Sequence, residues 1–144
     1  MQINHIQVVT ELIHQIRFNL RVDRLESWSD ALEGLSLLDL HILKLTAEKP
    51  DSILKDIRET LDIPHSTLTS AINRLEQQDL LKRVINQRDL RSFGLELTQK
   101  GCAIREEHDR MDHLIGKMVL ETLADETERE TLIQLLSKIN QRLG

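Results

Sequence analysis

The sequence predicts a mainly α-helical fold that carries one small β-hairpin. Apolar residues recur at helical spacing over most of the 144 residues. One segment, 80–97, has instead the short alternating pattern of two strands around a polar tip. Aromatic residues make up only 2% of the chain, so Leu and Ile must fill the core. We expect a single domain, 1–144, with the hairpin between helices.

The first helix is predicted over 3–20, where Ile, Val and Leu recur every three or four residues. A polar stretch at 26–30 marks a bend or break. Ser36, with Asp39 three residues later, resembles a capping box that opens a second helix. Pro50 closes that helix, because proline cannot continue it.

Two shorter helices follow. Asp51 and Ser52 are predicted to cap the first of them, over 53–61, and after Pro64 the second runs over 65–78. Two helices joined by a tight turn form a helix-turn-helix. The predicted buried face of the second helix consists of Leu68, Ala71, Ile72 and Leu75.

The hairpin comes next and is typical of a wing. Apolar residues at 80–85 and 93–97 flank a polar tip, 86–92. Thr98 then starts a long helix, and Asp125 caps a last one. The predicted fold class is therefore a winged helix-turn-helix, 36–101, flanked by long dimerisation helices, 1–30 and 102–144.

Charge is distributed unevenly along the chain. The net charge of −5 and the pI near 5.7 argue against a non-specific nucleic-acid binder. An acidic body with a basic edge can still bind DNA, because counterion release depends on the cations that touch phosphate. The cations of that edge, between 65 and 91, are Arg74, Lys82, Arg83, Arg88 and Arg91.

A single cysteine, Cys102, excludes an intramolecular disulfide and a cysteine-built zinc site. A buried, small-residue role is the usual one for a cysteine at a helix start; redox sensing is the alternative. Neither a targeting segment nor an apolar run of membrane-spanning length is recognisable. We expect a cytoplasmic protein with no membrane partner.

The order of these elements resembles the MarR family of dimeric winged-helix transcription regulators, over roughly 37–123. Three positions depart from the family pattern: Ser70 where a basic residue is frequent, Asp79 in place of glycine, and Pro64 in place of a polar cap. The residues that carry the resemblance are Ser66, Thr67, Thr69, Arg74, Leu75 and Glu76 in the second helix of the helix-turn-helix, and Asp89, Arg91, Leu95, Leu97, Thr98 and Gly101 in and after the wing.

The second helix of the helix-turn-helix is the candidate recognition helix. Hydroxyls, an amide and an arginine suit contacts to base edges and phosphates in the major groove. Arg91 at the wing tip is the candidate for a minor-groove contact, and by family analogy Asp89 would orient it. Arg88, Lys82 and Arg83 are expected to contact the DNA backbone. The candidate contacts on the helix are Ser66, Thr67, Thr69, Ser70, Asn73 and Arg74.

These features predict a sequence-specific DNA-binding regulator, a repressor, that responds to an unidentified effector. The apolar stripe of the first helix would be left exposed on a monomer. The resemblance implies that the first and the last two helices form a homodimer, which places two recognition helices on a pseudo-palindromic operator. The alternative is a winged-helix protein-interaction module without DNA readout; Ser70 and the acidic charge favour it.

The effector could be a small molecule or a metal. Asp23, His41 and His108 match the ligand pattern of a zinc-responsive branch of the MarR family, with Asp112 in place of a second histidine. Histidine and carboxylate ligands suit Zn²⁺, the one candidate cofactor. Solvated side chains and a buried, hydrogen-bonded His41 explain the same residues. An enzyme is not expected, because the sequence has neither a nucleophile–base pair nor a phosphate-binding loop.

Overall fold

The computed structural model describes residues 2–87 and 89–144. It confirms the mainly helical fold with one two-stranded antiparallel sheet. The order is α1 (Gln2–Asn19), two 3-10 turns (Leu25–Ser27 and Asp30–Leu32), α2 (Leu37–Glu48), α3 (Leu54–Leu61), α4 (His65–Gln77), β1 (Leu81–Ile85), β2 (Phe93–Leu97), α5 (Gln99–Glu121) and α6 (Glu126–Leu143).

The chain divides into two compact units, Met1–Asp109 and Arg110–Gly144. The helix-turn-helix and the hairpin lie in the first unit, and α6 lies in the second. Hydrophobic burial in the first unit holds α2, α3 and α4 together. Its most deeply buried apolar side chains are Leu32, Leu40, Ile42, Leu43, Ile57, Leu68, Ile72, Leu75 and Leu81.

Local signals set most helix starts. The predicted capping box of α2 is present: the Ser36 N–H donates to Asp39 Oδ2 at 2.9 Å, and the Asp39 N–H donates to Ser36 Oγ at 3.1 Å. Asp125 caps α6 by accepting the Glu128 N–H at 3.0 Å. Thr98 caps α5 by accepting the Gly101 N–H at 3.0 Å.

The predicted cap of α3 is wrong. Ile53, not Asp51 or Ser52, occupies the N-cap position. Its N–H donates to Asp56 Oδ2 at 3.1 Å, so a carboxylate inside the first turn satisfies the helix start. Asp56, the third residue of the helix, therefore marked the helix start better than the polar pair Asp51 and Ser52 before it.

The hairpin pairs in register from Leu81 opposite Leu97 to Ile85 opposite Phe93. An isolated antiparallel bridge between Ile53 and Gly94 attaches β2 to the start of α3. The wing is thereby attached to the helix-turn-helix near the tip end of its paired strands. Within the described residues, no helix is both long and apolar enough to cross a lipid bilayer.

Candidate DNA-binding surface

Helix α4 presents one polar face to solvent. As predicted, Leu68, Ala71, Ile72 and Leu75 are buried. This packing fixes the opposite face, which can therefore approach a ligand as a rigid surface. Of the candidate contacts there, Thr69 is half-buried, and the exposed ones are Ser66, Thr67, Ser70, Asn73 and Arg74.

Arg74 has a partner inside the protein, which the sequence did not predict. Its Nη2 pairs with Oδ1 of Asp39, a carboxylate that is only 1% exposed. The other oxygen of Asp39 accepts the Ser36 N–H. Asp39 thus caps α2 and holds α4 with the same side chain. Arg74 thus joins two helices, and its contact with DNA stays a prediction.

Arg83 is also engaged within the protein. Its Nη1 pairs with Oε1 of Glu76, and its Nη2 donates to Oδ1 of Asn73 at 2.8 Å. Both partners belong to α4, so the guanidinium joins β1 to the recognition helix. The expected contact of Arg83 with the DNA backbone stays a prediction, beside this internal fork. Lys82, on the other side of β1, forms an exposed cross-strand pair with Glu96 at 3.3 Å.

The wing tip is ordered by Asp89. Its Oδ1 accepts the Arg91 backbone N–H at 3.0 Å, and its Oδ2 accepts the Ser92 hydroxyl at 3.1 Å. Among the described contacts, Asp89 bonds the main-chain N–H of Arg91, so it positions the backbone that carries the arginine. The Arg91 side chain is exposed. Arg88, predicted as a backbone contact, lies outside the described residues.

Asn86 holds the wing in place by contacts that sequence reasoning missed. It is 6% exposed, and its Nδ2 donates to the Asp51 carbonyl oxygen at 3.1 Å. Its Oδ1 accepts the Asp89 N–H at 3.0 Å. Asn86 thus connects the wing tip to the loop before α3. A polar residue at the end of a strand was the only available signal.

The end of α4 and the start of α5 are held by a group of short contacts, which we call the clasp. The Thr98 N–H donates to the Leu80 carbonyl oxygen at 3.1 Å, and its hydroxyl donates to the Asp79 carbonyl oxygen at 2.6 Å. Lys100 Nζ donates to the Gln78 carbonyl oxygen at 3.0 Å. Asp79 adopts a φ of 58°, the left-handed conformation expected where the family has glycine.

Residues 33–92, which include the helix-turn-helix and most of the wing, match the model of the MarR family. This match covers less than half of the chain, and over that part the chain is similar to the MarR family. The relatives that match in sequence are helix-turn-helix transcriptional regulators, which agrees with the predicted class of function.

Individual proteins are also similar to this chain in sequence or in fold. An uncharacterised helix-turn-helix transcriptional regulator of Bacillus subtilis, YwhA, is 27% identical over 101 residues, which are 69% of this chain and 71% of YwhA. The fold is similar to that of Streptococcus pneumoniae FabT in complex with DNA, with a TM-score of 0.83 and 23% identity over 95% of this chain and 96% of FabT. Bordetella bronchiseptica BpsR, whose DNA binding is regulated by 6-hydroxynicotinic acid, has a TM-score of 0.65 and 22% identity over 92% of this chain and 97% of BpsR.

The structure does not assemble the candidate zinc ligands of this MarR-like chain. In the described ranges, 2–87 and 89–144, no group of three or more His, Cys, Asp or Glu side chains lies close enough to hold a metal ion. Asp23 forms an exposed pair with Arg17 at 3.3 Å. His41 is exposed, which corrects the interpretation of a buried histidine, whereas His108 is 4% exposed and Asp112 is exposed.

Cys102 is a free, exposed thiol at the start of α5. The expectation of a buried small residue is therefore wrong. The first turn of α5 instead buries Gly101, one residue earlier, against the clasp.

Proposed function

We propose that this chain is a cytoplasmic repressor that binds a pseudo-palindromic operator as a homodimer. One observation carries the proposal. The exposed hydroxyl and amide face of α4 lies beside a wing whose tip Asp89 fixes in place and whose Arg91 is exposed. Such a pair of elements suits the major groove and the adjacent minor groove respectively.

Two long helices support the homodimer. The large apolar residues of α1 are each 46% to 82% exposed, and α6 has no buried residue at all. An exposed apolar surface of this extent is typical of an interface. The exposed apolar residues are Ile6, Val8, Val9, Leu12, Ile13, Ile16 and Phe18 of α1 and Ile133, Leu135, Leu136, Ile139 and Leu143 of α6.

The internal pairing of Arg74 and Arg83 restricts which cations reach DNA. Both guanidinium groups are already bonded to carboxylates, so they add little free positive charge to the face of α4. The electrostatic contribution to DNA affinity therefore comes mainly from the wing tip, above all from Arg91. Small hydroxyls and an amide on α4 would supply the base contacts.

The test is a salt series of binding to the DNA that flanks the gene for this protein. Arg91→Ala is expected to weaken binding about tenfold and to lower the slope of log affinity against log salt by about 1, because one phosphate-neutralising cation is lost. Arg24→Ala is the matched control, since Arg24 is an exposed arginine far along the chain from the wing. It is expected to retain wild-type affinity and slope.

The opposite result would support the protein-interaction module. Micromolar binding that ignores sequence, and that Arg91→Ala leaves unchanged, would contradict the regulator with a DNA-reading wing. The paired state of Arg74 and Arg83 is the observation that keeps this alternative in the test.

The effector is proposed to be a small molecule. The regulation of BpsR by 6-hydroxynicotinic acid supports this class, and the unassembled ligand set gives Zn²⁺ no comparable support. Titration of DNA-bound protein with aromatic carboxylates should release the DNA if an effector of that class acts here. Zn²⁺ added at the same protein concentration serves as the comparison.

A further inference from the structure

Asn73 is the amide among the candidate DNA contacts on the exposed face of α4, and a neighbouring side chain holds it. Arg83 Nη2 donates to its Oδ1 at 2.8 Å. The same guanidinium is anchored through Nη1 to Glu76, which lies one turn later on α4. Arg83 is therefore fixed at one side by a carboxylate and bonds the amide with the other.

This contact determines which way the amide of Asn73 faces. A guanidinium has only donors, so the atom that meets it must be the amide oxygen and not the nitrogen. The assignment of oxygen and nitrogen, usually ambiguous for asparagine, is settled here by chemistry. With Oδ1 turned toward β1, the NH₂ group is the part of the amide that remains directed away from the protein's own donor.

We propose that Asn73 reads DNA only as a hydrogen-bond donor, and that Arg83 imposes this by occupying its oxygen. Asparagine recognises adenine through two bonds at once, with Oδ1 accepting from N6 and Nδ2 donating to N7. Oδ1 keeps a second lone pair, but Arg83 holds the oxygen toward β1, so the paired contact with adenine N6 and N7 is disfavoured. Asn73 then favours guanine, which offers two acceptors, N7 and O6, to the NH₂ group, whereas adenine offers N7 alone. This inference rests on the proposed DNA-binding function.

Arg83 is a positioning residue in this scheme. Its side chain is 29% exposed, and both of its terminal nitrogens bond side chains of α4. It acts on the choice of base through Asn73, although it belongs to the wing strand. The choice of base at one position of the operator would thus depend on a residue that does not contact DNA.

The experiment is selection of binding sites from a random pool of double-stranded DNA by the full-length protein. Wild type, Asn73→Ala and Arg83→Met are compared, with Gln77→Ala as the control because Gln77 is an exposed amide at the end of α4 outside the fork. Thermal unfolding checks that each variant is folded. Arg83→Lys, which keeps the charge but cannot fork, serves as the second variant if Arg83→Met unfolds.

Wild type is expected to prefer guanine at one position of each half-site by about three- to tenfold, the value of one hydrogen bond. Asn73→Ala should abolish that preference at this position alone. Arg83→Met should admit adenine there by a similar factor, because Oδ1 becomes available. If the preferred base is guanine, replacing it by 7-deazaguanine should weaken wild-type binding and leave Asn73→Ala unaffected. Gln77→Ala should give the wild-type profile.

Three results would overturn the inference. A preference for adenine at the Asn73-dependent position, lost when the N6 amino group is removed as in purine, would show that the amide reads with both groups. A uniform loss of affinity in Asn73→Ala, with no change in sequence preference, would assign Asn73 to phosphate. Failure to select any sequence would contradict the proposed function together with this inference, and that outcome is distinguishable from the first two.

Discussion

Among the described glycines, Gly101 has the least room for a side chain. A Cβ built there would lie 1.8 Å from the carbonyl oxygen of Leu80. That oxygen cannot move away freely, because it accepts the Thr98 N–H in the clasp. The glycine that follows the wing in this sequence is therefore required by a close backbone approach and not by an unusual φ.

Gly101→Ala is expected to lower the free energy of unfolding by about 1–3 kcal/mol, the usual cost of inserting atoms into a packed site. Urea unfolding followed by circular dichroism measures it. Cys102→Ala, at the exposed neighbouring position, should change the value by less than about 0.5 kcal/mol. Equal stabilities of Gly101→Ala and wild type would mean that α5 can shift away from Leu80 without loss.

Single residues were predictable where their signals are local. The Ser36–Asp39 box, the Asp125 cap and the left-handed Asp79 each depend on residues within one turn. The partner of Arg74 is Asp39, 35 residues earlier, and no short-range pattern marks that pair. Arg83 and Asn73 are likewise ten residues apart in different elements, so only the fold brings them together.

Among the elements, α2 and α4 are joined by an ion pair with one buried partner. Asp39 is 1% exposed, whereas the Arg74 side chain is 45% exposed. Water reaches the arginine and screens the pair, so its strength lies below that of a fully buried ion pair. The pair nevertheless matters for Asp39. Without Arg74, the Ser36 N–H would be the one described donor to its buried carboxylate.

Arg74→Ala should destabilise the protein by about 1–3 kcal/mol, discounted from the fully buried case for the exposure of the arginine. Because Arg74 is expected to position α4 and not to neutralise phosphate, DNA affinity should fall while the salt slope stays at the wild-type value. Thermal unfolding and the salt series together measure both effects.

Arg74→Lys is the control for this change. It keeps the positive charge near Asp39 and should recover part of the stability. A salt slope lowered by about 1 in Arg74→Ala, with stability unchanged, would instead assign Arg74 to a phosphate contact.

At the level of elements, the sequence predicted the type and order of every helix and both strands. Long stretches of regular apolar spacing made this reliable. The cap of α3 was assigned to the wrong residues, Asp51 and Ser52. Asp56, within the first turn of the helix, accepts the Ile53 N–H instead, and only the structure shows this contact. The clasp between α4 and α5 was likewise not predicted, since its acceptors are backbone carbonyls.

At the scale of the whole molecule, the proposed homodimer places α6 in the interface between the two copies. Leu136→Glu should dissociate the dimer, because a charge would be buried in an apolar interface, and specific DNA binding should be lost with it. Sedimentation velocity measures the change of mass. In the monomer the substitution should be tolerated, since Leu136 is 54% exposed.

Gln141→Glu introduces the same charge on the exposed polar side of α6. It should remain dimeric and should bind DNA like wild type. A Leu136→Glu protein that sediments as a dimer would place the interface elsewhere.

If the proposed homodimer forms, the absence of any buried residue in α6 also ties the stability of this helix to mass action. Most helical stability in proteins comes from tertiary packing, and no side chain of α6 is fully buried in the single chain, so association would supply stability that the single chain lacks. A tenfold dilution then costs about 1.4 kcal/mol per mole of dimer, and the melting temperature becomes a function of protein concentration. The number of copies in a cell would thus determine how much of the chain is fully folded before it determines how much operator is occupied.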